Sequence, residues 1–224
     1  MAENKRFIKV TGKGSIKVKP DLTRITITLK GCHKVYDETL QHSAEDTESL
    51  KDLLEGLGFA REEVKTLSFN VNTRYESYQA KDKSWKERFV GYEFLHVMKL
   101  EFDSDNKRLG KVLYALANAK KITPEFRLSY TVKDKEASKN ELLGKAVEDA
   151  KAKAVVLTKA AGVKLMQIQS IDYSWGEIDF EFSPMSDSGM FTRMQCKSDG
   201  AYDMDIEPDD IEAEDTVTAV WEIG

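Results

Sequence analysis

The chain has 224 residues, of which 41% are hydrophobic and 33% charged, and its net charge is −5 with the three histidines counted neutral. That apolar fraction excludes a disordered chain, the length is enough to bury a core, and the acidic balance excludes a broad basic groove for nucleic acid. Four prolines and 13 glycines exclude collagen-like and low-complexity architectures.

The first element is strand-like. Phe7-Ile8-Lys9-Val10 and Ile16-Lys17-Val18 each alternate apolar with polar, and the intervening Gly12-Lys13-Gly14 predicts a bulge or tight turn between two half-strands. After Pro20-Asp21, a second strand follows over 24–29, with Ile25, Ile27 and Leu29 on one face. From Asp37 the period becomes helical. Leu40, Ala44, Thr47, Leu50, Leu54 and Leu57 form the predicted apolar stripe, closed by Gly56 and Gly58.

Two long strands come next, one carrying Leu67, Phe69, Val71 and Tyr75 on a face, the other Val90, Tyr92, Phe94, Met98, Leu100 and Phe102. The polar stretch 79–86 between them reads as a hairpin loop. A second helix is predicted over 105–119, with Leu109, Val112, Leu113, Leu116 and Ala117 as its stripe. Phe126, Leu128, Tyr130 and Val132 give another strand. The longest helix, over 134–161, has Leu143, Ala146, Val147, Ala150, Ala154, Leu157 and Ala161 at steps of three and four, and Gly162 ends it. Strands over 165–173 and 217–223 complete the chain.

The order is β-β-α-β-β-α-β-α-β-β. Consecutive strands without intervening helices require antiparallel hairpins, so the fold class is α+β: an antiparallel sheet with long strands and three main helices packed on it. The expected organisation is one domain over 1–224, with a division into subdomains of about 1–104 and 105–224 as the variant. Residues 176–205 stand outside this order as a long irregular loop. Loops of that length are usually functional or disordered. Its Met185, Met190, Phe191 and Met194 make it a candidate interaction loop, methionine being an adaptable contact residue.

No constellation for chemistry emerges. Gly12-Lys13-Gly14 lacks the third glycine and following helix of a phosphate loop. Cys32 and His33 are neighbours on a strand end and face opposite ways, which disfavours a thiolate–imidazole pair. His96 shares an apolar face with Phe94 and Met98 and reads as a satisfied core or interface histidine. Cys32 and Cys196 lie far apart, in no metal-ligand spacing, and read as two free thiols. The acidic run from Asp203 to Asp215 reads as a solvated connector; calcium-loop spacing is broken by Pro208. The tract KDKSWKER over 81–88 reads as an exposed hairpin tip, its charge diluted by Asp82 and Glu87. Neither catalytic residues nor a cofactor nor a bound metal is expected. No stretch approaches the roughly 20 apolar residues of a membrane helix, so no span is expected. The N-terminus lacks the apolar run of a secretory signal, which gives a cytoplasmic expectation; a processed N-terminus would give a periplasmic or envelope one.

Several stretches together resemble the bacterial members of the SIMPL-domain family, formerly a domain of unknown function. They are Val10-Thr11-Gly12-Lys13-Gly14-Ser15 with Val18, Pro20-Asp21 and Ile25-Ile27-Leu29; then Leu54-Glu55-Gly56-Leu57-Gly58, Val64-Lys65-Thr66 and Phe69-Asn70-Val71. Gly91-Tyr92, the helix KAVEDAKAKA over 145–154, Gly162 and Ile206-Glu207-Pro208 continue the likeness over nearly the whole chain. The chain is expected to depart from many bacterial members in lacking a signal peptide, and it has Asp209 where a glycine commonly follows the proline. The resemblance implies a non-enzymatic protein that works through protein contacts, with self-association into a homo-oligomer and a stress- or envelope-related role. The family's animal namesake associates with a Pelle-like kinase. No catalytic residue carries over. The alternative is a small-ligand or metal-binding protein that uses loop 176–205.

Overall fold

The computed structural model describes residues 5–173, 180–183 and 206–224, with the backbone alone at 196–197 and 201–202. The chain is α+β and its strands are antiparallel, in the order the sequence predicts, but they are divided between two main sheets. Two compact units result, the first made of Met1–Pro20, Thr131–Phe182 and Asp209–Gly224, the second of Asp21–Tyr130 and Ser183–Pro208.

The first unit holds β1 (Arg6–Val18), the helix α3 (Lys135–Ala160), β6 (Leu165–Tyr173), the two-residue β7 (Glu181–Phe182) and β10 (Ile211–Ile223), with sheet order β1-β10-β6. Gly12-Lys13-Gly14 makes neither a bulge nor a turn. β1 runs through it in unbroken register with β10, from Arg6 opposite Ile223 to Val18 opposite Ile211. The two glycines serve the helix above them. A Cβ at Gly12 would stand 2.1 Å from the Ala146 carbonyl oxygen and 2.3 Å from the Ala150 nitrogen, and one at Gly14 would stand 2.2 Å from the Leu142 carbonyl oxygen. α3 therefore rests backbone-close on the strand.

The helix face that allows this contact is Ser138, Leu142, Ala146, Ala150, Ala154 and Thr158, every fourth residue and mostly small. The predicted stripe shares only the three alanines at 146, 150 and 154 with it, and Leu157 is 50% exposed. Asp134 caps the helix by accepting from the Ala137 N–H at 2.8 Å, and Gly162 ends it at φ 69°, in the left-handed region that favours glycine. β10 begins six residues before the predicted strand. The end of the acidic run is thus strand, not connector: Glu212 and Glu214 alternate with buried Ile211 and Ala213 and form ion pairs across the strands with Lys17 and Lys13.

The second unit holds β2 (Leu22–His33), α1 (Tyr36–Glu55), β3 (Lys65–Gln79), β4 (Trp85–Asp103), α2 (Asn106–Ala117), β5 (Glu125–Thr131, whose last residue belongs to the first unit) and the short pair β8 (Cys196–Lys197) and β9 (Ala201–Tyr202). β3, β4, β2 and β5 lie side by side in that order. α1 packs on β2 and β4 over a core that includes Ile25, Ile27, Leu29, Leu50, Leu54, Phe94, Met98 and Leu100. The first half of its stripe is displaced from the prediction. Leu40 and Ala44 are exposed, and Thr39 and Ser43 are buried instead. Thr39 Oγ1 donates to the Val35 carbonyl at 2.9 Å, so its hydroxyl enters the core already satisfied. In α2, Leu109, Val112, Leu113 and Leu116 are buried as predicted, Ala117 is not, and Asp105 caps the helix.

Candidate functional site

The chemistry-bearing residues are dispersed. Met185, Met190, Phe191 and Met194 lie outside the described residues. Of loop 176–205, the described part shows that Phe180 is fully buried with Ile16, Val132, Leu142, Ile211 and Ala213, held by Thr131 Oγ1 donating to its carbonyl at 2.6 Å. Cys32 is a free, half-buried thiol. His33, next to it on β2, stacks on His42 of α1 with ring centroids 4.1 Å apart and planes 8° from parallel. His42 also lines an open hollow of about 590 Å³ with Ala44, Glu45, Asp46, Glu48, Ser49 and Lys121. Burial raises the Asp46 carboxyl above its ordinary range, against the opposing pull of His42. Among the described residues, no group of three or more His, Cys, Asp and Glu side chains converges as a metal site.

His96 is a satisfied core histidine. It is 9% exposed, with Nδ1 3.0 Å from Thr47 Oγ1 and Nε2 2.9 Å from Thr66 Oγ1. Thr47 spends its one hydroxyl proton on the Ser43 carbonyl at 2.7 Å, so Thr47 accepts from Nδ1–H, and Nε2 accepts from Thr66. This assigns a neutral Nδ1–H tautomer. Burial, and secondarily Lys51, lowers the imidazole pKa below its ordinary value.

What the molecule does present is surface. β3 is an edge strand, and its residues are exposed at all but two of 15 positions, where they are half-buried. Leu67, Phe69, Tyr75 and Tyr78 are each 44% exposed or more. β2 pairs with β4 only as far as His33 opposite Tyr92, so residues 85–91 of β4 bond to β3 alone and the two strands continue as a ribbon. Along this ribbon runs a chain of edge-on aromatic contacts: Tyr75 to Phe89 at 5.7 Å, Phe89 to Tyr92 at 5.3 Å, and Tyr92 to Tyr36 at 5.3 Å. Trp85, at the start of β4, is 72% exposed.

The alternation of β3 and β4 was readable as strand, but not the exposure of both faces. The aromatic chain depends on a register shift between Arg74 and Tyr75 that brings Phe89 beside Tyr92. In the first unit the edge strand β6 also exposes large apolar side chains, Met166, Ile168 and Ile171, as α3 does with Val155, Val156 and Leu157. No helix among the described residues is long and apolar enough to cross a membrane.

No curated protein matches the chain significantly. The SIMPL family, described as a protein of unknown function (DUF541), matches residues 8–221 and so runs through both units. It takes in β1 with its Gly12-Lys13-Gly14, the β3–β4 ribbon, α3 and most of β10. The chain belongs to the SIMPL family.

Proposed function

We propose that this protein is non-enzymatic and acts through protein–protein contacts, first of all with copies of itself. The observation that carries the reading is the outer edge of β3. It is a 15-residue strand at a sheet edge, bare on both faces, with Leu67, Phe69, Tyr75 and Tyr78 exposed. Long apolar edges of this kind pair with another strand unless charge, proline or a covering element blocks them; residues 67–73 contain no charge or proline, and no element among the described residues pairs with this edge. A two-fold axis across the edge would pair β3 with its own copy.

Light scattering and sedimentation over a hundredfold concentration range (about 1 to 100 μM, bracketing moderate affinities) test the reading. A concentration-dependent oligomer is expected. Leu67→Lys and Asn70→Pro, both at exposed positions of the strand, should shift it to monomer without lowering the melting temperature by more than a few degrees. A strict monomer at every concentration would sink the reading. The family suggests a stress- or envelope-related role. Fractionation of cells that express the full gene tests a cytoplasmic location against an envelope one.

A further inference from the structure

The end of the β3–β4 ribbon combines two features that pairing along the β3 edge does not use, its most exposed aromatic side chain and cations that form no ion pair among the described residues. The turn is closed by the Ala80 N–H on the Ser84 carbonyl at 2.8 Å and the Lys83 N–H on the Ala80 carbonyl at 2.9 Å. Asp82, the only carboxylate in the turn, accepts from the Ser84 N–H at 3.0 Å and from Ser84 Oγ at 2.6 Å, so it is bound back onto its own chain. Behind the turn, Arg88 is matched by Glu76 at 3.1 Å and Arg74 by Glu93 at 2.6 Å. Lys81, Lys83 and Lys86 make no ion pair among the described residues. Trp85 stands between them, 72% exposed.

The geometry points to this tip as a docking site for the surface of an anionic lipid bilayer, with the Trp85 indole at headgroup level and Lys81, Lys83 and Lys86 over the anionic headgroups. Charge complementarity selects the partner. The whole chain carries −5, which an anionic surface repels, while residues 79–88 carry four cations against two anions. Indole is the side chain that best tolerates the boundary between hydrocarbon and water. The ribbon's outer backbone groups have no strand partner among the described residues, so the tip rests on the surface and does not pass into the hydrocarbon. Single-stranded nucleic acid would need stacked aromatics and free cations along one path. Here they separate: the aromatics Tyr75 and Phe89 meet edge-on, where Arg74 and Arg88 are already neutralised, and the lysines without an ion pair among the described residues lie at the turn.

Cosedimentation of the full chain with vesicles of phosphatidylcholine alone, or containing about 30% phosphatidylserine, tests the site at low and high salt. Binding is expected to the serine-lipid vesicles only and should be lost at high salt. Each of Lys81→Gln, Lys83→Gln and Lys86→Gln should weaken it about fivefold, and Trp85→Ala at least as much. The emission difference between the wild type and Trp85→Phe isolates that indole and should move to shorter wavelength on binding. The inference is overturned by no binding to the anionic vesicles, by equal binding to phosphatidylcholine, or by undiminished binding of the triple lysine variant. A shift with oligothymidylate in place of vesicle binding would also overturn it. Because the β3-edge variants leave these residues untouched, loss of self-association and loss of lipid binding are separable results.

Discussion

Strands β1 and β3 have similar lengths, 13 and 15 residues, and each lies at a sheet edge, yet the molecule covers one and leaves the other bare. On β1, Val10, Gly12, Gly14 and Ile16 are buried beneath α3, and the free side of the strand is guarded as well. The Lys13 N–H donates to Asp149 at 2.7 Å, and Lys153 reaches the Thr11 carbonyl at 3.5 Å, with Asp149 and Lys153 paired to each other at 2.7 Å. One helix thus supplies both a face and an edge cover. β3 carries as many large apolar and aromatic side chains as β1, five in each, and buries none of its own. Coverage therefore follows the neighbouring helix and not the apolar content of the strand. An apolar strand left bare is the kind of surface that partners use.

The largest expected effect tests the covered side. Gly12 and Gly14 have ordinary negative φ, so Gly12→Ala brings no backbone strain, only a methyl group driven into the α3 backbone. Because that backbone cannot rotate aside as a side chain would, we expect a loss of about 3 kcal/mol in urea unfolding. Gly144→Ala, within α3 itself, is the matched control. Its Cβ meets nothing within 4 Å, and replacing a mid-helix glycine should stabilise by up to about 1 kcal/mol. Equal effects at the two positions would show that the close approach of helix to strand is not what holds this unit.

The same contact explains what could and could not be read from the chain. Element order and the bounds of all three helices follow from periodicity and capping, because those signals are local. The continuity of β1 does not. Two glycines separated by one residue signal a turn locally, and their actual partner is a helix more than 120 residues away. The early start of β10 was hidden in the same manner, since Glu212 and Glu214 look like a solvated run until β1 brings Lys17 and Lys13 within ion-pair reach of them. In α1, the buried Thr39 and Ser43 read as polar, and only the bond from Thr39 to its own helix turn makes burial cheap. The aromatic chain on the ribbon needed the register shift at Tyr75. The methionine-rich loop read as the candidate site lies outside the described residues.

A middle-sized effect lies where the bare strand is rooted. His96 ties Thr66, at the start of β3, to Thr47 of α1 through a neutral ring. Since its pKa in the fold is lowered, the unfolded chain takes up the proton more readily. Its contribution to stability is full above the ordinary histidine range, where both states are neutral, and is lost as pH falls through and below that range. Stability of the wild type should decline between about pH 7 and pH 5 more steeply than that of His96→Gln, which cannot titrate. Parallel slopes would mean that the ring is not held neutral. Amide exchange at 65–70 should accelerate over the same interval, ahead of β1.

The smallest effect is expected on the ribbon itself. Tyr75 is a large side chain, but it is 55% exposed and its ring contact in the fold is Phe89, edge-on across the strands. A cross-strand aromatic pair contributes up to about 1 kcal/mol where the strands are otherwise supported. A two-stranded ribbon opens locally without unfolding the core behind it, so most of that contribution does not reach global stability. Tyr75→Ser should therefore change urea unfolding by less than about 0.5 kcal/mol and speed amide exchange across 75–79 and 85–89 several-fold. The contrast with Gly12→Ala is then complete: adding one methyl group under α3 costs far more than removing a whole phenol from β3. A global loss at Tyr75 approaching that at Gly12 would mean that the ribbon is packed against something in the free monomer, and the division between covered and bare strands would fall.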